Sequence, residues 1–152
     1  MAFALIALVM DRLFTRGSIP ALEAMMSFAS ARQKVIANNI ANVETIGYKA
    51  KDLSVTDFEK ALGRAFDAQK KSASNRWTLE RVGTVGPAGS RVEARTIAAR
   101  DAGILKHIEN NVDLEVEMGK MVKNHSRHSM AANLLSHQFS LLREAVAERV
   151  IA

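Results

Sequence analysis

The sequence predicts a mainly α protein in which an N-terminal and a C-terminal helix pack as an antiparallel, coiled-coil-like pair, with an irregular middle region of loops and a short β-hairpin. Three observations carry this. Apolar residues recur at alternating steps of three and four near both ends of the chain, glycine and proline break the stretch between them, and aromatic residues make up only 5% of the composition. The first pattern is that of a helix packing along one seam. Few aromatics favour aliphatic helix packing over a sandwich built on large rings. At 152 residues the chain has the length of one domain. Within it, residues 1–49 read as an N-terminal helical segment, 50–110 as the irregular middle and 111–152 as a long C-terminal helix that packs on the first.

The first long helix begins around Gly17, Ser18, Ile19 and Pro20, where Ser18 can cap and Pro20 fits a first turn that needs no donor. Its seam is Leu22, Met26, Ala29, Gln33, Ile36 and Ile40. A shorter helix is expected over residues 5–14. The last helix, over 113–150, repeats the pattern through Met118, Met121, His125, His128, Ala132, Leu135, Phe139, Leu142 and Val146. A flanking row of Met130, Leu134, Leu141 and Ala145 widens its apolar stripe beyond what one partner helix covers. Lys120, Lys123, Arg127, Arg143 and Glu144 are expected on the solvated face.

In the middle, a helix is expected over residues 57–66 and a polar loop over 68–76, followed by Gly83, Gly86, Pro87 and Gly89, a spacing no helix tolerates. Residues 91–97 alternate as a short strand should, with 77–85 as its expected partner.

Composition and motifs exclude several chemistries. The chain has no cysteine, so disulfides, thiolate metal sites and thiol nucleophiles are ruled out. The formal charge of +5 raises an anionic partner, yet it is dispersed. Five basic residues face three acidic ones in 1–49, eleven face eight in 50–110, and five face five in 111–152. Such a spread argues against nucleic acid as a partner. His125 and His128 share a helix face but lack a third ligand at matching spacing, so no metal or other cofactor is expected. The serines of the last helix lack a nucleophile elbow, and the glycine-rich stretch lacks the ending of a phosphate loop, so no enzyme is expected. The apolar start, residues 1–10, lacks a positive n-region and is too short to span a bilayer, so neither a cleaved signal nor a transmembrane segment is expected.

The first helix ends in Ala37, Asn38, Asn39, Ile40, Ala41 and Asn42, followed by Thr45, Ile46, Gly47, Tyr48 and Lys49. Three asparagines this close weaken a helix, and Asn42 or Gly47 can supply the left-handed turn that ends it. Asn38 and Asn39 come before that end, among seam residues, where an amide costs stability unless it finds partners; a satisfied one fixes register. Residues 37–49 closely resemble the N-terminal motif of the flagellar rod, hook and related axial proteins. Glu109, Asn110, Asn111, Val112, Asp113, Leu114, Glu115, Val116, Glu117 and Met118 resemble the segment that opens the C-terminal helix in that family's proximal rod proteins. Two positions depart from the family pattern: Ile46 stands where proline is common, and Glu109 where glycine is frequent.

The resemblance implies a structural subunit of the proximal rod that polymerises through its terminal helices, connects the MS ring to the distal rod and transmits torque. It implies export by the flagellar type III apparatus without signal cleavage, and assembly in the periplasm. The implied partners are further copies of the chain, the rod proteins FlgC, FlgF and FlgG, the adaptor FliE and the MS ring. FlgC itself shares the first motif and is the nearest alternative. A soluble helical binding module unrelated to flagella is the alternative the residues allow without the resemblance.

Overall fold

The structure is a computed structural model that describes residues 18–71, 79, 97–98 and 109–148. It is mainly helical. Helix α1 spans Ile19–Ala41, strand β1 Lys51–Asp52, helix α2 Val55–Lys71, strand β2 Ile97–Ala98 and helix α3 Leu114–Glu148. The expected helix over 5–14 and the glycine-rich turn of the middle region lie outside the described residues.

Helices α1 and α3 pack against each other in antiparallel fashion, as the paired seams require. Ile36 at 0% and Ala29 at 3% exposure are buried along α1, with Leu22, whereas Met26 is half-buried. Pro20 sits in the first turn of α1, where its missing N–H costs nothing. Ser18 does not cap through its side chain: its backbone is already helical, and only its carbonyl serves the helix, accepting from the Leu22 N–H at 3.0 Å. At the start of α3, Asp113 is the working cap, its Oδ1 accepting from the N–H groups of Glu115 (3.0 Å) and Val116 (3.3 Å).

Helix α2 is longer than expected and takes in residues 68–71, which the polarity of the sequence there had assigned to a loop. Phe58, Ala61 and Ala65 recur at helical spacing and are buried, while Asp57 and the pair Lys70 and Lys71 complement the dipole at opposite ends. This face closes against Ala21, Ala24 and Phe28 of α1, with Leu53 and Leu79, and the rings of Phe28 and Phe58 stack at 4.3 Å with 8° between their planes. Ile97 pairs with Asp52, and Ala98 with Lys51, in antiparallel register, so the described ladder joins distant segments; the expected pairing of 77–85 with 91–97 falls almost wholly outside the described residues.

Along α3 the buried row is displaced from the expected one. Glu117, Asn124 and Ala131 are buried, with Met121, His128, Leu135 and Leu142 half-buried beside them. Met118 is 56% exposed and Phe139 stands partly out of the core, so these two seam residues are not packed as expected; the side chain of Val146 lies outside the described residues. Lys120, expected on the solvated face, is half-buried and ion-paired. Apolar spacing alone misplaced the face because three of its positions carry polar groups with dedicated partners.

Candidate functional site: the helix junction

Those partners converge where α1 ends and α3 begins. Asn39, in the last two turns of α1, is 0% exposed and uses its whole amide. Its Nδ2 donates to the Lys51 carbonyl at 2.6 Å and to Glu117 Oε2 at 2.8 Å. Its Oδ1 accepts from the Lys51 N–H at 3.0 Å and from the Tyr48 hydroxyl at 3.1 Å. The side chain therefore meets Lys51 as a neighbouring peptide would, and the reversed amide would set donor against donor there. Buried amides are costly unless satisfied, and this one is satisfied at every position.

Glu117 is 2% exposed, and its second oxygen accepts from Lys120 Nζ at 2.7 Å. Lys120 also lies 3.9 Å from Asp52, which holds Arg32 of α1 in a fork of two 2.7 Å hydrogen bonds. Bidentate pairing of this kind fixes direction as well as charge. The row Arg32, Asp52, Lys120, Glu117 alternates in sign, so none of these groups is buried beside its like alone.

A second asparagine closes the end of α1. Asn110, also 0% exposed, shares its Nδ2 hydrogens among the carbonyls of Asn42 (2.8 Å), Val43 (3.1 Å) and Thr45 (2.9 Å). Its Oδ1 accepts from the Val112 N–H at 2.7 Å. Three carbonyls of the C-cap and turn that follow α1 are thus bound from far along the chain. Asn111 Oδ1 accepts from the Ala50 N–H at 2.7 Å, and Lys49 Nζ donates to the Glu109 carbonyl. Val112 and Ala50 are buried together, with Val43 and Tyr48 packed against them. Further along, Asn124 of α3 donates to the Ala29 carbonyl (2.8 Å) and to Gln33 Oε1 (2.9 Å).

The loop between has its own geometry. Asn42 keeps a negative φ of −104°, and Gly47, at φ +71°, supplies the left-handed residue. With the Tyr48 N–H donating to the Thr45 carbonyl at 3.3 Å, residues 45–48 form a type II turn with Gly47 where that turn needs glycine. Asn42 braces the turn: its Nδ2 donates to the Asn38 carbonyl at 2.8 Å and its Oδ1 accepts from Thr45 Oγ1 at 3.1 Å. Burial raises the Tyr48 phenol above its ordinary pKa, and the negative charge of Glu117 adds to the shift.

The expected motif residues thus divide. Asn39, Asn42, Thr45, Gly47 and Tyr48 meet at the junction, and half-buried Ile40 lies beside it. Ala37, Asn38 and Ala41 face outward, with Asn38 contributing only its carbonyl. Sequence reasoning missed Arg32, Asp52, Asn110, Asn111, Glu117, Lys120 and Asn124 as site residues. The adjacent asparagines at 110 and 111 were the available signal; nothing local marked Asp52 or Asn124. His125 and His128, with Lys34 and Gln33, line a cavity of about 380 Å³ at the edge of the helix pair. Among the described residues no three acidic or histidine side chains are grouped to hold a metal, and no helix is long and apolar enough to cross a membrane.

The site is thus a helical pair joined by interlocking amides where α1 ends and α3 begins, with Met118, Val122, Met130 and Leu134 exposed along α3, the features of a structural protein. A family model described as "Flagella basal body rod protein" matches residues 21–49. The chain is 33% identical to the flagellar basal body rod protein FlgB of Borrelia hermsii over 116 residues, covering 72% of this chain and 81% of that one. It is 28% identical to FlgB of Bacillus subtilis over 127 residues, covering 84% and 91%. FlgB of Borreliella burgdorferi is 28% identical over 116 residues, with 72% and 81% covered. The chain belongs to the FlgB family of flagellar basal body rod proteins.

Proposed function

We propose that this chain is a structural, non-catalytic subunit of the proximal rod that polymerises through its terminal helices, connects the MS ring to the distal rod and transmits torque. The observation that carries the reading is the junction itself. Asn39 and Asn110, both fully buried, lock together the two segments that resemble the axial motif. A torque-bearing subunit needs its two helices held at one register, and satisfied buried amides specify register where apolar contacts alone allow slippage. Outside that lock, α3 leaves Met118, Val122, Met130 and Leu134 exposed, a ridge suited to neighbouring copies and to the rod proteins FlgC, FlgF and FlgG. FliE and the MS ring are the neighbours below. The subunit travels through the flagellar type III export apparatus without signal cleavage and stands in the periplasmic rod. Helix α2 flanks the pair, packing Phe58, Ala61 and Ala65 with Ala21, Ala24 and Phe28 of α1.

The test is mass spectrometry of basal bodies purified from the source bacterium, with rods scored by electron microscopy in a strain lacking the gene. Protein in wild-type particles and rods missing from the deletion strain are the expected results. Intact rods without the protein would refute the reading and leave a helical binding module.

A further inference from the structure

The turn that follows α1 carries an apolar side chain with no work inside the fold. Ile46 is 80% exposed, the most exposed of the large apolar side chains among the described residues. Its backbone is held from both sides. Asn42 braces Thr45 through its side chain, the Tyr48 N–H returns to the Thr45 carbonyl, and the buried Asn110 amide donates to that same carbonyl. An apolar group on a pre-ordered turn loses little freedom when it enters a partner, so more of its burial appears as affinity. Glu44, also exposed, stands two residues before it. At the other end of the helix pair lies a recess. A cavity of about 490 Å³ opens between Met26, two turns into α1, and a line of α3 residues from Ala132 to Arg143. Apolar side chains, two serines and one cation, Arg143, line it. Turn and cavity cannot meet within one chain. Asn110 ties the turn to the start of α3, and eighteen residues, about 27 Å of helix, run from Leu114 to Ala132.

We propose that Ile46 of one copy of this chain seats in the cavity of a second copy, with Glu44 paired to Arg143. Each chain carries both halves of the contact, an apolar knob and an apolar recess, and the charges agree: the acid beside the knob meets the cation of the recess. Because knob and recess lie at opposite ends of the helix pair, the contact is head-to-tail. A heterologous contact of this kind leaves a free knob and a free recess after every addition, so it builds a ring or an open helical filament and does not stop at two subunits. The inference deepens the rod reading, on which its cellular setting rests, by naming a contact through which copies add along the axis.

The absence of native cysteine makes the test direct. The purified full chain carrying Ile46→Cys and Ser136→Cys, two exposed positions whose substitution leaves the core intact, is concentrated, oxidised and run without reductant. A ladder of covalent dimers, trimers and longer species is expected, since a disulfide closes only where Cα atoms come within about 7 Å. Ile46→Cys with Ser126→Cys, about 15 Å farther down α3, should give no ladder. Charge reversal supplies a second reading that leaves knob and recess untouched. Glu44→Arg or Arg143→Glu alone should lower the ladder yield roughly threefold, and the two together should restore it. No ladder, equal ladders with position 126, products that stop at the dimer, or a double reversal no better than the single ones would each overturn the proposal. The same double-cysteine chain, placed in the source bacterium and oxidised in isolated basal bodies, separates the two readings: protein present there without a ladder sinks the contact and leaves the rod reading standing, whereas a ladder from the purified chain with no protein in basal bodies does the reverse.

Discussion

Replacing Asn39 by alanine removes four hydrogen bonds at once from a fully buried site. Three of them join neutral groups, each worth about 1 kcal/mol net, and the fourth reaches the Glu117 carboxylate, worth about 2 kcal/mol. Their loss should destabilise the chain by about 3 to 5 kcal/mol. Asn39→Asp is the sharper perturbation. It is nearly isosteric, yet it turns both donors into acceptors and sets a second carboxylate against Glu117. Like charges raise the proton affinity of such a pair in the folded state above that in the unfolded chain. The variant is then least damaged below the ordinary carboxylate pKa of about 4 and loses stability as pH rises through the raised folded value. Urea unfolding followed by circular dichroism at pH 4 and pH 7 measures both effects, each variant being compared with wild type at the same pH. A loss below about 0.5 kcal/mol for Asn39→Ala, or a deficit in Asn39→Asp that does not shrink at pH 4, would refute the reasoning, since 0.5 kcal/mol is what an ordinary surface substitution costs.

Three further outcomes follow from the same geometry. Glu109 holds φ at +55°, a region that costs a side chain about 1 kcal/mol, so Glu109→Gly should raise the urea midpoint and not lower it. Ile46, 80% exposed at the second position of a type II turn, should accept proline with a gain of about 0.4 to 1 kcal/mol, read as a rise in melting temperature. Tyr48→Phe should cost about 1 kcal/mol at neutral pH through the lost bond to Asn39. In wild type the raised Tyr48 pKa contributes stability that is whole below pH 10 and is lost as pH rises through the folded value, so the gap between the two proteins should narrow in strongly alkaline solution.

Much of the architecture was legible because helix packing writes itself into apolar spacing. The α1 seam of Leu22, Ala29 and Ile36 is buried as that spacing required, and the need of a mid-helix amide for partners was visible before any contact was known. The phase of α3 was harder. Its buried row includes Glu117 and Asn124, which read as surface residues until the groups facing them are seen. Met118 and Phe139 drew the seam toward themselves because a subunit that assembles with others carries apolar side chains on faces its own fold leaves open. The Arg32–Asp52 fork joins residues twenty apart across the turn that follows α1, so no periodicity marked it. Glu109, where glycine is frequent in the family, holds a positive φ that glycine adopts without strain.

The central claim is that the amide junction sets the helix register a rod subunit needs. Its most direct measurement is the count of rods per purified basal body, by electron microscopy, in a strain where Asn39→Ala replaces the wild-type gene and the protein level is held at the wild-type value. The account predicts basal bodies without rods, or with rods cut short. Rods of normal number and length would contradict it.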